Sequence, residues 1–463
     1  MPLPLRMDAG GDGGDGGGGA PNGPNATATS ATREKLSFAR PPPGDDAQGF
    51  FSFPDGALSA NRTASAEDSV EDAVERADEK EKQTALRTAL ETAAIAVTMG
   101  AVFGVVMERS GVANPATIRA QLVFAQQHML KMFLAAVGAS ALVAASLERA
   151  WPDEFHRARR ARVGEKGLRT MAVGGLAQGA GMALSGACPG MVMVCVGKGV
   201  PGAAATALGG VAGALVYGWQ HPALRDHHAA DFQSTIGRLP SGNLDEAVRA
   251  RRFAHVAVPL GVACLAAAVA VDLLVPFRGE AALIPGVRTP SDGLLSPVVA
   301  GVAVGALQLP AFALLETFLG TSSAYSVVAS LYMRAASERH KARFAYAASW
   351  LTSRAWWQVA YVLGALLGGL ASARGWFGML PSRAAPSPPG VGVAPALLGG
   401  FLIVWGARVA GGCASGHGVS GLSLLSVAGW VVVPAMFAGG VLVALAMQAA
   451  WGREEFLLVS RGG

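Results

Sequence analysis

From Ala93 onward the chain is a succession of apolar windows, each close to the roughly 20 residues that an α-helix needs to cross a bilayer. We place spans near 90–108, 130–148, 168–187, 200–218, 254–276, 295–318, 355–372, 395–412 and 428–448. Backbone amides find no water in lipid, so windows of this length fold as helices. The expected fold class is therefore an all-α integral membrane protein of about nine transmembrane helices. Charged residues make up 15% of the chain, where soluble globular chains carry about a quarter. The net charge of +5 gathers beside the apolar windows, which suits basic membrane loops and gives no reason to expect a nucleic-acid partner. Four cysteines, three of them in apolar sequence, are too few for a disulfide framework and read as free thiols.

Residues 1–85 combine a Gly/Asp/Pro/Asn tract, a proline run at Pro41–Pro43 and the charged stretch Glu67–Lys82. They read as a disordered cytoplasmic leader with one amphipathic helix, and no cleaved address is expected. The loop after the second span holds Arg157, Arg159, Arg160, Arg162 and Lys166, that after the fourth Arg225, Arg238, Arg249, Arg251 and Arg252, and that after the sixth Arg334, Arg339, Lys341 and Arg343. The positive-inside rule then puts these loops and the N-terminal tail in the cytoplasm and the C-terminus outside. The expected organisation is a first transmembrane repeat at 86–218, a loop, joining span and outer loop at 219–294, a second repeat at 295–450 and a short tail at 451–463. Short amphipathic pieces at 115–127 and 323–336 are expected within or beside the membrane.

Two segments echo each other. Gly181-Met-Ala-Leu-Ser-Gly186-Ala-Cys188-Pro-Gly190 lies in the third span, and Gly406-Ala-Arg-Val-Ala-Gly411-Gly-Cys413-Ala-Ser-Gly416 in the eighth. In both, glycines stand seven and two residues before a cysteine, and a later helix carries Gly-Gly, at Gly209-Gly210 and Gly439-Gly440. Four spans precede the joining span, so the second half enters the membrane with opposite polarity, the inverted-repeat plan of many transporters. Broken, glycine-rich backbone at membrane depth is tolerated only where protein or a wet cavity satisfies its peptide groups, so these segments point to a substrate path.

On Ala187-Cys188-Pro189-Gly190 and Gly411-Gly412-Cys413-Ala414-Ser415-Gly416-His417-Gly418-Val419-Ser420-Gly421, the chain resembles the YeeE/YedE sulphur-transport family over roughly Ala93 to Met447. The resemblance implies an all-helical inverted repeat with a narrow path in which thiols and amides at broken helix ends hand thiosulfate inward. Family members often carry a third cysteine shortly after the first span, in an Arg-Ser-Arg-Phe-Cys context. Here Glu108-Arg109-Ser110-Gly111-Val112-Ala113 stands there, and Ala113 supplies no thiol.

A dianion crossing lipid must exchange its water for donors, which glycine-exposed amides and helix N-termini supply without a permanent cation. The thiols of Cys188 and Cys413 add polarizable S–H donors suited to a terminal sulphur. The candidate path is Cys188, Pro189, Gly190, Gly412, Cys413, Ser415, Gly416, His417 and Gly418, with no metal or cofactor. His417 either donates to the passing anion or ties its turn to a carbonyl. A second group, path or support, comprises Arg408, Glu108, Glu316, Lys198 and Cys195. Arg408 either attracts anions at one mouth of the path or pairs with Glu108 or Glu316, the pairing being preferred since a bare arginine would hold a dianion too tightly. Lys198 is an entrance charge or snorkels to the interface. Cys195 and Cys264 read as packing, His227 and His228 as solvated surface, and Trp356, Trp357 and Trp376 as interface anchors.

The expected function is passage of a small sulphur-containing anion through a permease or channel in the bilayer, with no enzymatic step and no Walker-type loop. A cytosolic sulphur-handling enzyme is a candidate partner. The alternative is a membrane sulfurtransferase or thiol redox protein carrying a persulfide on Cys413.

Overall fold

In a computed structural model the described residues are 64–162, 166–235, 242–247, 252–288, 292–353, 355–376 and 388–457, with side chains from residue 81. Residues 1–74 and 75–463 form two units, and of the first only the start of one helix is described. The expected disorder of the leader falls on residues 1–63, outside the described set. The charged stretch Glu67–Lys82 belongs to a continuous helix α1, Ala64–Arg109, that runs on into the first span.

In chain order there follow α2 (Pro115–Leu122), α3 (His128–Ala150), α4 (Pro152–Arg160), α5 (Leu168–Ser185), α6 (Val192–Lys198), α7 (Ala203–Ser234) and α8 (Ala254–Leu274). The second half supplies α9 (Pro297–Ala306), α10 (Gln308–Leu315), α11 (Ser323–Ser330), α12 (Trp356–Ala373), α13 (Val393–Ala410) and α14 (Val427–Trp451), with a π-helical segment Ala414–Leu422 between the last two. Among the described residues seven helical stretches are long and apolar enough to span a bilayer. The two other expected spans, 168–187 and 200–218, form α5 and α7 but fall outside that set. The reason is position: α5 packs on α13 and α14, and α7 on α13, so these helices face protein where lipid would have demanded larger apolar side chains. The pieces expected to be amphipathic are interior in their first turns, and exposed at Phe124 and from Val328 onward in places. Every residue of α2 is buried, and Ala324 to Val327 of α11 are too.

The packing is reciprocal between halves, as a two-fold-related repeat requires. Helix α5 lies on α13 at the centre; α5 meets α14 as α13 meets α7, and α1 meets α12 as α9 meets α3. Glycine sets the central distance. A Cβ on Gly406 would sit 2.6 Å from the Gly174 carbonyl oxygen, and one on Gly181 2.6 Å from that of Gly399. Backbone cannot yield as a side chain can, so Gly406→Ala should cost about 1–3 kcal/mol of overpacking strain and lower the thermal unfolding midpoint in detergent. An unchanged midpoint would mean that the two helices are free to separate.

Helix α8 joins the halves along the flank of α3. Below it, Lys131 of α3 is fully buried and bonds Glu280 at 2.5 Å, Asp272 at 3.1 Å and the Val275 carbonyl, pinning the 275–280 turn to the bundle.

Candidate functional site

Both candidate cysteines stand where a helix breaks and another begins. Helix α5 stops at Gly186 with φ 63°, a left-handed cap that side chains avoid. The chain then runs through Ala187, Cys188 and Pro189 until the Cys188 carbonyl accepts from the amides of Met191 (2.9 Å) and Val192 (3.1 Å), opening α6. Helix α13 stops likewise at Gly411, φ 86°, and Cys413 is the N-cap of the π-helical segment, its carbonyl accepting from the His417 amide at 2.7 Å. In each half, therefore, a new helical segment begins at the cysteine, whose carbonyl accepts from amides of that segment's first turn.

A third segment, the turn from α10 into α11, ties the two breaks together. The Thr321 hydroxyl lies 3.5 Å from Cys413 Sγ and 3.2 Å from the Ser415 hydroxyl, which is itself 3.2 Å from Cys413 Sγ. The same Thr321 side chain lies against the first break: a Cβ on Gly190 would be 3.1 Å from Thr321 Oγ1. Four residues on, the Tyr325 hydroxyl donates to the Pro189 carbonyl at 3.2 Å, its ring seated in the space left by Gly210. Cys413 is buried and Cys188 half-buried. Thr321, Ser322 and Tyr325 were not among the residues that the sequence singled out. Setting the halves in register gives the available signal, because the Gly320-Thr321-Ser322 turn follows its span as Ser110-Gly111 follows α1.

On one side of this centre the charges are positive. Arg162 Nη2 donates to the Gly416 carbonyl at 3.2 Å, and Arg408 donates to the Ser322 hydroxyl while its buried Nε has no hydrogen-bond partner among the described residues. Lys166 Nζ donates to the Arg408 carbonyl and to the Tyr217 hydroxyl at 2.5 Å. Burial, and then the Arg408 charge, push the Lys166 ammonium down to about 7. His417 Nε2 lies 3.2 Å from the Ala410 carbonyl, the turn-tying arrangement, and its ring covers Gly412, where a Cβ would be 2.7 Å away. Gly418 makes room for Phe133.

The expected pairing of Arg408 with Glu108 or Glu316 is not formed. Glu316 is exposed at the left-handed end of α10, φ 50°. Glu108 is buried at the end of α1, where Arg288 Nε reaches both its oxygens at 3.2 Å, Lys198 Nζ lies 3.6 Å away and the Ser372 hydroxyl donates at 2.7 Å. Arg109 in turn donates to that hydroxyl at 3.1 Å. Lys198 thus does not snorkel: its side chain is 1% exposed because it is held by a carboxylate in the interior. Cys195 is core, and Cys264 packs half-buried beside Val137, Leu422 and Val433. Two further expectations are corrected. Trp357 is buried against Tyr361, facing the bundle instead of the interface, and His228 is buried with its ring stacked on Tyr217, since α7 continues past its span and folds that face inward. Ala113 is fully buried in the turn between α1 and α2.

No curated protein matches the chain. The family described as sulphur transport matches residues 109–442, from the end of α1 to within α14, and so takes in both broken helices and the Thr321 turn. With most of its length inside that match and its apolar helices in place, the chain belongs to the sulphur-transport family of multi-pass integral membrane proteins.

Proposed function

We propose that the protein moves thiosulfate, or a small sulphur-containing anion like it, across the membrane, with Cys188 and Cys413 as successive stations. The observation that carries this reading is the meeting of two helix breaks, one from each half, at the Thr321 side chain. Thiols, hydroxyls and the starts of two helical segments lie together there, and the Cys413 station carries no carboxylate on its described hydrogen-bond partners. An anion stripped of water finds donors on each side, and a soft terminal sulphur finds a polarizable partner. None of these donors carries full charge, so the anion is held weakly enough to leave. The amides and dipoles that receive it come from the protein's own breaks at Gly186 and Gly411.

Uptake of radiolabelled thiosulfate into liposomes containing the purified chain tests this. Cys188→Ala and Cys413→Ala should each lower the initial rate by about tenfold, the effect of losing one hydrogen bond worth ~1.4 kcal/mol to a crossing anion. Full uptake in both variants would remove the thiols from the path. The sulfurtransferase alternative has one observation in its favour, the hydroxyls of Thr321, Ser322 and Ser415 on Cys413 Sγ, which would stabilise a thiolate. It expects fast alkylation of Cys413 at neutral pH and sulphur retained on the protein after washing, where a transport station expects neither.

A further inference from the structure

The basic residues that sequence analysis assigns to three separate loops line one cavity of about 580 Å³. Arg162 and Lys166 come from the loop before α5, His221 and Arg225 from α7, Arg343 from the stretch before α12, and His417 from the π-helical segment. No carboxylate stands among the described lining residues. Asp231, further along α7, accepts from the Thr170 amide at 2.8 Å and is not among the lining residues. Arg225 has an exposed Asp226 3.8 Å away, a pair that solvent screens.

We propose that this vestibule is a second anion site, an inner station for divalent oxyanions of the sulfate and thiosulfate class, placed between the Cys413 centre and the cytosol; it rests on the anion-transport reading above. The geometry supplies the continuity. Arg162 both lines the vestibule and bonds the Gly416 carbonyl, three residues from Cys413, and His417 is shared between cavity wall and break. A concave wall of one sign over low-dielectric protein focuses the field and raises the local concentration of counter-ion. The volume exceeds what one tetrahedral oxyanion occupies, so the ion is received with water around it, and a station of that kind releases quickly. An anion leaving the uncharged donors at Cys413 therefore moves toward positive potential, and cytosolic anions of the same class compete for the same place.

The pH dependence follows from the groups around Lys166. It faces Arg408 and its carbonyl from α13, Tyr217, His221 and His228 from α7, Arg162 from its own loop, and His417 from the π-helical segment. Burial, with Lys166 as its nearest like charge, pushes His228 down to about 4, so it stays neutral near pH 7. Lys166 gains its proton as pH falls through about 7, and the vestibule then holds oxyanions more tightly.

The test is equilibrium binding of radiolabelled sulfate, which lacks the soft terminal sulphur, to the full-length chain in detergent at low salt. Arg225 and Arg343 are exposed and lie outside the spans, so the double variant Arg225→Ala/Arg343→Ala keeps the fold. It should weaken binding by about tenfold, while Arg278→Ala, an exposed charge in another loop, should leave it unchanged. Affinity should also rise from pH 8 to pH 6. Absence of sulfate binding in the unmodified chain, or equal binding in the double variant, would overturn the proposal. So would tripolyphosphate binding far more tightly than sulfate, which would make the cavity a site for a larger polyanion. If thiosulfate uptake is absent but sulfate binding responds to the arginines, the transport reading falls and the vestibule stands; the reverse result removes the vestibule alone.

Discussion

Replacing Glu108 by alanine is expected to cost the protein its fold, by about 3–5 kcal/mol, the scale seen when one partner of a buried ion pair is removed. The carboxylate is 1% exposed and is bonded to both Arg288 and Lys198, with Arg109 reaching the same group through Ser372. Without it these cations face one another inside a low-dielectric bundle, and Lys198 keeps only a 3.4 Å bond to the Gly286 carbonyl. Glu108→Gln should fall between, because an amide still engages Ser372 but neutralises no charge. Glu316→Ala is the matched control: an exposed glutamate at a helix end, expected to change stability by about 0.5 kcal/mol or less. Yield of monodisperse protein and the thermal midpoint in detergent read the difference. Equal midpoints for Glu108→Ala and Glu316→Ala would mean that the cluster is hydrated and structurally idle.

That contrast also marks the limit of what the sequence made legible. Hydropathy and basic loops were enough for the all-helical membrane class, and the repeated spacing before each cysteine turns out to have a mechanical cause. Of the glycines two residues before Cys188 and Cys413, each adopts the left-handed cap that ends its helix; those seven residues before lie at the α5–α13 crossing. The Gly-Gly pairs are equally readable. Gly209 admits the backbone of α13 and Gly439 that of α5, while Gly210 admits Tyr325 of α11 and Gly440 admits Leu122 of α2, in each case from the other half. Partner choice was not readable, because it is decided by fold-level proximity. Glu108 meets Arg288 across 180 residues and Arg408 meets Ser322 across 86, and no local pattern distinguishes these from the pairs that sequence suggested. Thr321 escaped notice for the same reason, lying 92 residues from the thiol it touches in a turn that looks like any polar loop.

The combined change Thr321→Val/Ser415→Ala should lower thiosulfate uptake by roughly a hundredfold while the protein still folds. Valine keeps the shape of threonine, and Ser415 is only partly buried, so the bundle loses hydroxyls without gaining a cavity at Thr321. In the resting arrangement these two hydroxyls and the Cys413 thiol satisfy one another. When an anion arrives in the proposed path they turn to it, and hydrogen bonds to a charged group are worth about 1.5–3 kcal/mol each, so two lost together amount to two or more powers of ten. The loss should appear in the maximal rate more than in the concentration for half-saturation, because the hydroxyls act at the narrow centre and the basic vestibule does not depend on them. Each single change should fall by about tenfold, and the double change by more than either, as expected for donors that serve one ion. Unaltered uptake in the double variant, with protein of normal thermal midpoint, would place the anion's route away from Thr321 and leave the meeting of the two breaks as packing.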